Sequence, residues 1–187
     1  YETGNVDYDA TTPGWRTTTQ KQEIWSTVIE TWVEGQNEEF PKFEEAPHSP
    51  AAEPERYEDE NAFLMTTGRR IPVYFHSEHR QLPWCRELWP VPRVEINPTD
   101  AEKLGIEQGD WVWIESPRGK IRQTADLYYG IKPGVINCEH QWWFPELDQA
   151  DHGFELCNVN CLVEPTHQDP ICGASHLRAY GVKVYKA

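Results

Sequence analysis

The chain has 187 residues, with 17 Lys and Arg against 31 Asp and Glu, a formal net charge of −14 and 12% aromatic residues. That length can bury one sizeable core, and the acidic balance excludes general binding to nucleic acid or anionic membranes, which needs clustered cations. The charge is uneven: residues 34–60 hold ten acids and two bases, about −8 of the −14, so a local cationic site remains compatible with the rest.

Residues 1–15 are polar and read as loop. The opening Tyr1-Glu2-Thr3-Gly4 carries no signal-peptide pattern, so the chain reads as a piece of a longer protein whose compartment does not follow from it. Between Gly14 and Glu34, the residues Ile24, Trp25, Val28, Ile29 and Trp32 recur at three- and four-residue steps, which predicts one face of a helix. The β-branched content leaves a strand over Lys21 to Ile24 as the alternative. Pro41, Pro47, Pro50 and Pro54 among the acids of 35–60 predict an extended connector rather than a packed element. Residues 1–60 are thus expected to be a lead-in helix and connector, and 61–187 a barrel.

Phe63 to Thr67 reads as a strand that breaks at Gly68-Arg69-Arg70. Ile71 to Phe75 is a short strand or a loop, His76 to Arg80 opens a short helix, and Trp84 to Trp89 is helical or loop before Pro90 and Pro92. The most informative stretch is Val91 to Ile121. Asn97 stands where a helix N-cap would, followed by Pro98 and by Asp100 at the third position, a cap and acid for the free amides of the first turn. Gly105 stops that helix, Gly109-Asp110 turns the chain, and Trp111 to Glu115 is a strand whose two Trp are expected to pack in or on the barrel. A turn at Ser116 to Gly119 leads to a strand over Lys120 to Tyr128. Further strands are predicted at Val135 to Cys138 and Gly181 to Lys186, with short extended structure at Asn158 to Pro165 and loop at Gln168 to Ser175. Six or seven short strands with few short helices favour a closed all-β barrel.

Thr67-Gly68-Arg69 follows a strand directly. Gly lets backbone amides approach a ligand and Arg can fork onto phosphate, although the same residues also make an ordinary turn with a solvated Arg. His76-Ser77 with Arg80 can form a second polar wall. His76 and His79 lack partners at a familiar zinc spacing. Cys157, Cys161 and Cys172 are read chiefly as buried thiols, with a small metal site as the lesser possibility. Asn158, Asn160 and Asp169 are short polar residues among apolar ones. If buried they need partners, either backbone or a ligand rich in edge donors and acceptors. No catalytic triad order, P-loop or dinucleotide glycine fingerprint is present.

In order, Thr66 to Arg69 (TTGR), His76 to Arg80 (HSEHR), VEINPTDAEKLGIEQGDWVWIESPRGKI, IKPGVI, HQWWFPE, NVNCL and DPICG resemble the C-terminal molybdopterin-dinucleotide-binding domain of the dimethyl sulfoxide reductase family, over roughly Phe63 to Ala187. The resemblance implies a mainly β fold, a six-stranded double-psi β-barrel with short helices and an extended N-terminal lead-in. It implies molybdopterin guanine dinucleotide as cofactor, the molybdenum or tungsten being held by upstream domains. Carried over by motif position, Thr67, Gly68 and Arg69 line the dinucleotide, and His76 and Ser77 contact its pterin or pyrophosphate side. Asn160, Asn158 and Asp169 read a guanine or pterin edge. His140, with Gln141, stands where the family commonly has Gly-Trp. The WWFPE stretch looks most like the acetylene hydratase, hydroxytransferase and thiosulfate reductase-like branches. No metal-ligating side chain or iron–sulfur cysteine of the family is matched, so the chain alone is expected to have no turnover. The expected partners are the rest of a parent catalytic subunit and an iron–sulfur electron-transfer subunit, with no nucleic acid and no direct membrane contact. The alternative is a stand-alone β-barrel protein-interaction module.

Overall fold

The computed structural model describes residues 20–32, 40, 42–69, 71–176 and 178–187, the side chains of Thr27 and Arg69 excepted. They fall in two compact units, Tyr1–Glu44 with Pro170–Gly173, and Glu45–Asp169 with Ala174–Ala187. In the first, only Thr27–Trp32 of the expected helix is helical among the described residues, as α1; residues 20–26, with Ile24 and Trp25, form neither helix nor strand. Residues 14–19, 33 and 34 of that expected helix lie outside the described residues.

The second unit is a closed barrel. Its strands are β1 (Ala62–Arg69), β2 (Arg93–Ile96), β3 (Trp111–Ser116), β4 (Gly119–Leu127), β5 (Val135–Glu139) and β6 (Arg178–Lys186), closed in the order β1-β5-β2-β4-β3-β6. The pairs β1/β5 and β2/β4 are parallel and the other four antiparallel, the double-psi β-barrel arrangement. Closure leaves no unpaired edge. Alternation along each strand decides what lines the interior: Met65, Val94, Ile96, Val112, Ile114, Ile121, Ile136 and Val184 are all fully buried. Each such side chain contributes about 1.5–3 kcal/mol by leaving water. Trp111 and Trp113 take the other parity. Both are half-buried on the outer face, under the guanidinium of Arg122 and the ammonium of Lys120.

The short helix α3 (Pro98–Lys103) is capped as the sequence predicts, Asn97 accepting from the Thr99 amide at 3.0 Å. Asp100 does something else. It is buried, and its carboxylate accepts the Gly134 amide at 2.7 Å, while Asn97 donates to the Ile131 carbonyl at 2.8 Å. The first turn of α3 therefore clamps the β4–β5 connection. At its other end Gly105 has φ +64°, and the Ile106 amide returns to the Ala101 carbonyl at 2.8 Å. Gly105→Val is expected to cost about 1–2 kcal/mol, because a β-carbon is strained in this conformation even with open space around it. A thermal melt should fall by several degrees, and Gly105→Asn by less; an unchanged midpoint would refute this account of the helix stop.

Four local expectations are corrected. β1 does not break at Gly68; it continues to Arg69 with its ladders shifted, as described below. Residues 76–80 form turns rather than opening a helix, and α2 (Pro83–Leu88) begins only where Pro83 supplies a first helical position without a needed amide. Residues 158–165 are not extended: Asn158 caps a 3-10 turn over Val159–Cys161 by accepting from the Asn160 amide. The acidic connector is packed from Glu45 onward. His48 and Ser49 are buried, Tyr57 donates to the His48 carbonyl at 2.5 Å, and a 3-10 turn over Pro54–Tyr57 lays Arg56 over Gly181, where any β-carbon would strike it.

Candidate functional site

Two irregularities in β1 make the site. On the β5 side the register shifts between Thr66 and Arg69, and on the β6 side between Met65 and Thr66. The ladder to β5 is thus loosened at Thr67-Gly68 and the ladder to β6 slips just before it, as bulges do. Across the second shift Ala179 adopts φ +65°, so Arg178 is turned out of the strand alternation toward β1. Its Cζ lies 3.9 Å from where a Gly68 β-carbon would stand.

Thr67, Gly68 and Arg178 form one side of a cavity of about 540 Å³. His76, His140 and Gln141 form a second side, and Arg118, from the β3–β4 turn, a third. Asn160 and Ser175 add polar groups, and Val159, Val163 and Pro165 the apolar part. His76 and Gln141 are both non-glycine residues at positive φ, +48° and +59°, and their side chains meet at 3.0 Å. The His76 and His140 rings stand edge to face, 5.8 Å apart. The lining holds two guanidiniums and two imidazoles and no carboxylate, in a chain of net charge −14. Such a donor set suits an anion with several oxygens, and the amides Gln141 and Asn160 suit a flat ring with polar edges.

Of the residues named from sequence, Thr67, Gly68, His76, His140 and Asn160 meet at this cavity. Ser77 and Asn158 line an adjoining hollow of about 440 Å³ with Trp143 and Asp151, and Gln141 and Asn160 border both. Asp169 lines neither; it sits on the following loop, its amide bonded to the Ala174 carbonyl at 2.9 Å. The Arg69 side chain lies outside the described residues. Sequence reasoning missed Arg118 and Arg178. Arg118 sat inside a correctly read turn, and Arg178 just ahead of the alternation that marks β6; neither belongs to a ligand motif.

The suspected cysteine site dissolves. Cys157 is buried, its thiol donating toward the carbonyls of Trp142, Gly153 and Phe154, and burial pushes it up to about 12. No group of His, Cys, Asp or Glu among the described residues could hold a metal.

Behind Ser175 lies a histidine cluster. His176 is held below its ordinary value by burial and then by His48 and His167, with Tyr180 and Glu164 also facing the cluster. A His depressed in the folded state resists protonation there. Its stabilising share is complete above the unfolded value of about 6.5 and is lost as pH falls below it. Thermal midpoints at pH 7.5 and 5.5 should therefore differ more for the native chain than for His176→Gln; equal differences would contradict this.

Residues 63–180 match the family model described as Molydopterin dinucleotide binding domain. Dopamine dehydroxylase of Eggerthella lenta is 58% identical over 98% of this chain, which covers 19% of that protein. Acetylene hydratase of Syntrophotalea acetylenica is 28% identical over 92% of this chain and 24% of its own length. The solved acetylene hydratase from Pelobacter acetylenicus superposes with a TM-score of 0.86 at 24% identity, over 96% of this chain and 25% of that one. The chain thus spans about a fifth of the length of the first curated relatives it matches. It belongs to the molybdopterin-dinucleotide-binding domain family, a double-psi β-barrel of the dimethyl sulfoxide reductase family.

Proposed function

We propose that this chain holds the guanine dinucleotide arm of a molybdopterin cofactor in the 540 Å³ cavity, as one domain of a longer molybdenum or tungsten enzyme. The carboxylate-free lining with Arg118, Arg178, His76 and His140 carries the reading. The two guanidiniums and the loosened Thr67-Gly68 backbone take the diphosphate. Gln141 and Asn160 take ring edges, with Ser77 and Asn158 at the adjoining hollow and Arg69 at the end of β1. A diphosphate needs forked donors rather than a basic field, which reconciles an acidic domain with an anionic ligand. When bound, the metal centre supplies the redox or hydration chemistry; this chain binds and orients.

Within that reading, the chain contributes no catalytic residue and has no turnover alone. Its partners are the remainder of a catalytic subunit and an iron–sulfur electron carrier. The test is calorimetric titration with guanosine diphosphate at low and moderate salt. Binding that weakens as salt rises is expected, since charge-assisted contacts dominate. Absence of binding, with a protein partner recovered instead, would favour an interaction module.

A further inference from the structure

We propose that Arg80 is a positioning residue for this site: buried beneath the cavity, it fixes the backbone of His76–Glu78 and, through it, the imidazole wall. The inference rests on the dinucleotide reading above, but its observations are separate. Arg80 is 2% exposed and does not line the cavity. Its Nη1 donates to the carbonyl of His76 and, at 3.0 Å, to that of Glu78. Trp143 Nε1 donates to the carbonyl between them, that of Ser77, at 2.6 Å. All three carbonyls of the loop are thereby held by side-chain donors.

The consequence follows from peptide geometry. A trans peptide sets its N–H opposite its C=O, so holding the His76 carbonyl turns the Ser77 amide away from the guanidinium. The same hold stabilises His76 at φ +48°, a conformation that a residue with a β-carbon does not keep unaided. That conformation in turn places His76 Nδ1 against Gln141 Oε1, itself on a residue at φ +59°. Arg80 is anchored so that it can do this. Its guanidinium lies 4.3 Å from the Tyr74 ring centroid and 5.0 Å from that of Trp142, with Nη2 3.8 Å from Glu139 Oε1. Glu139 is fixed by Trp89 Nε1 and the Arg93 amide, each at 3.1 Å. A solvated arginine at the ligand would need none of this scaffolding.

The test compares Arg80→Met and Arg80→Lys with the native chain, alone and combined with His76→Ala, at low temperature with native circular dichroism confirmed. Lys keeps a charge opposite Glu139, so that variant preserves the fold, but its stem ends one atom short of Nη1, the nitrogen that makes both carbonyl bonds. Without ligand, amide exchange across residues 75–80 should quicken about tenfold or more in both variants while the barrel strands keep their protection. Affinity for guanosine diphosphate should fall about tenfold, and this loss should vanish in the His76→Ala background, because Arg80 acts through His76. Native exchange in the loop of both variants, or an affinity loss that persists undiminished without His76, would overturn the proposal. If exchange quickens but neither the native chain nor any variant binds guanosine diphosphate, the ligand reading falls and Arg80's hold on the loop stands.

Discussion

Replacing Arg118 and Arg178 together by Ala should weaken guanosine diphosphate binding by about 100-fold or more. A hydrogen bond to a charged group contributes about 1.5–3 kcal/mol, so each guanidinium facing phosphate carries roughly a tenfold effect or more. The two stand on different sides of the cavity, one on the β3–β4 turn and one at the start of β6, and neither can take over the other's contacts. Arg178 should matter more. The bulge residue Ala179 at φ +65° directs it, and its guanidinium already lies beside Gly68, whereas Arg118 stands on a turn. Arg178→Lys should recover the charge but not the fork, and so restore only part of the affinity. Calorimetry at two salt concentrations checks this: the double variant should also lose most of the salt dependence. Native affinity in the double variant would mean that the cavity is not where the diphosphate binds.

Why the motif residues were legible and these arginines were not has a physical reason. β2, α3, β3 and β4 are written in local terms, a cap, a stop glycine, a turn and alternating β-branched residues, and a single sequence carries all of them. The bulges flanking Thr67-Gly68 leave no such trace, because a register shift is a relation between strands. β1 was therefore expected to break at Gly68, where it only shifts register. Arg178 reaches the cavity solely because β6 pairs with β1 and slips by one residue at Ala179. Residue type marked His76, Gly68 and Asn160 as candidates, and the family resemblance gave them their roles. By residue type alone, a Gly-Arg turn and a lone His are more often solvent-facing. Alternation likewise shows that Trp111 and Trp113 share a face, but not that this face is the outer one and that Val112 and Ile114 own the interior.

The residue least visible in the sequence holds the barrel wall behind the site. Gln123 lies in β4 among polar and charged neighbours, yet it is 0% exposed. Its Nε2 donates to the Glu139 carbonyl at 2.8 Å and the Cys157 carbonyl at 3.1 Å, and its Oε1 accepts the Glu139 amide at 3.2 Å. One side chain thus ties β4 to the end of β5 and to the segment before Asn158, the two stretches that present His140 and Asn160 to the cavity. Gln123→Leu keeps the volume and removes all three bonds. The three backbone groups left without partners have no water to turn to, and each such loss costs about 1–3 kcal/mol. Shared relaxation makes the sum roughly 4 kcal/mol, which for a chain of this size lowers the thermal midpoint by about 10 °C. Gln123→Glu should fall between the two, since it keeps an acceptor for the Glu139 amide but loses both donations and adds a charge near the Glu139 carboxylate. Melting curves of the three proteins at pH 7.5 decide the matter. A Leu variant as stable as the native chain would show that Gln123 fills space and nothing more, and that the ladders to β1 and β2 suffice to hold the end of β5.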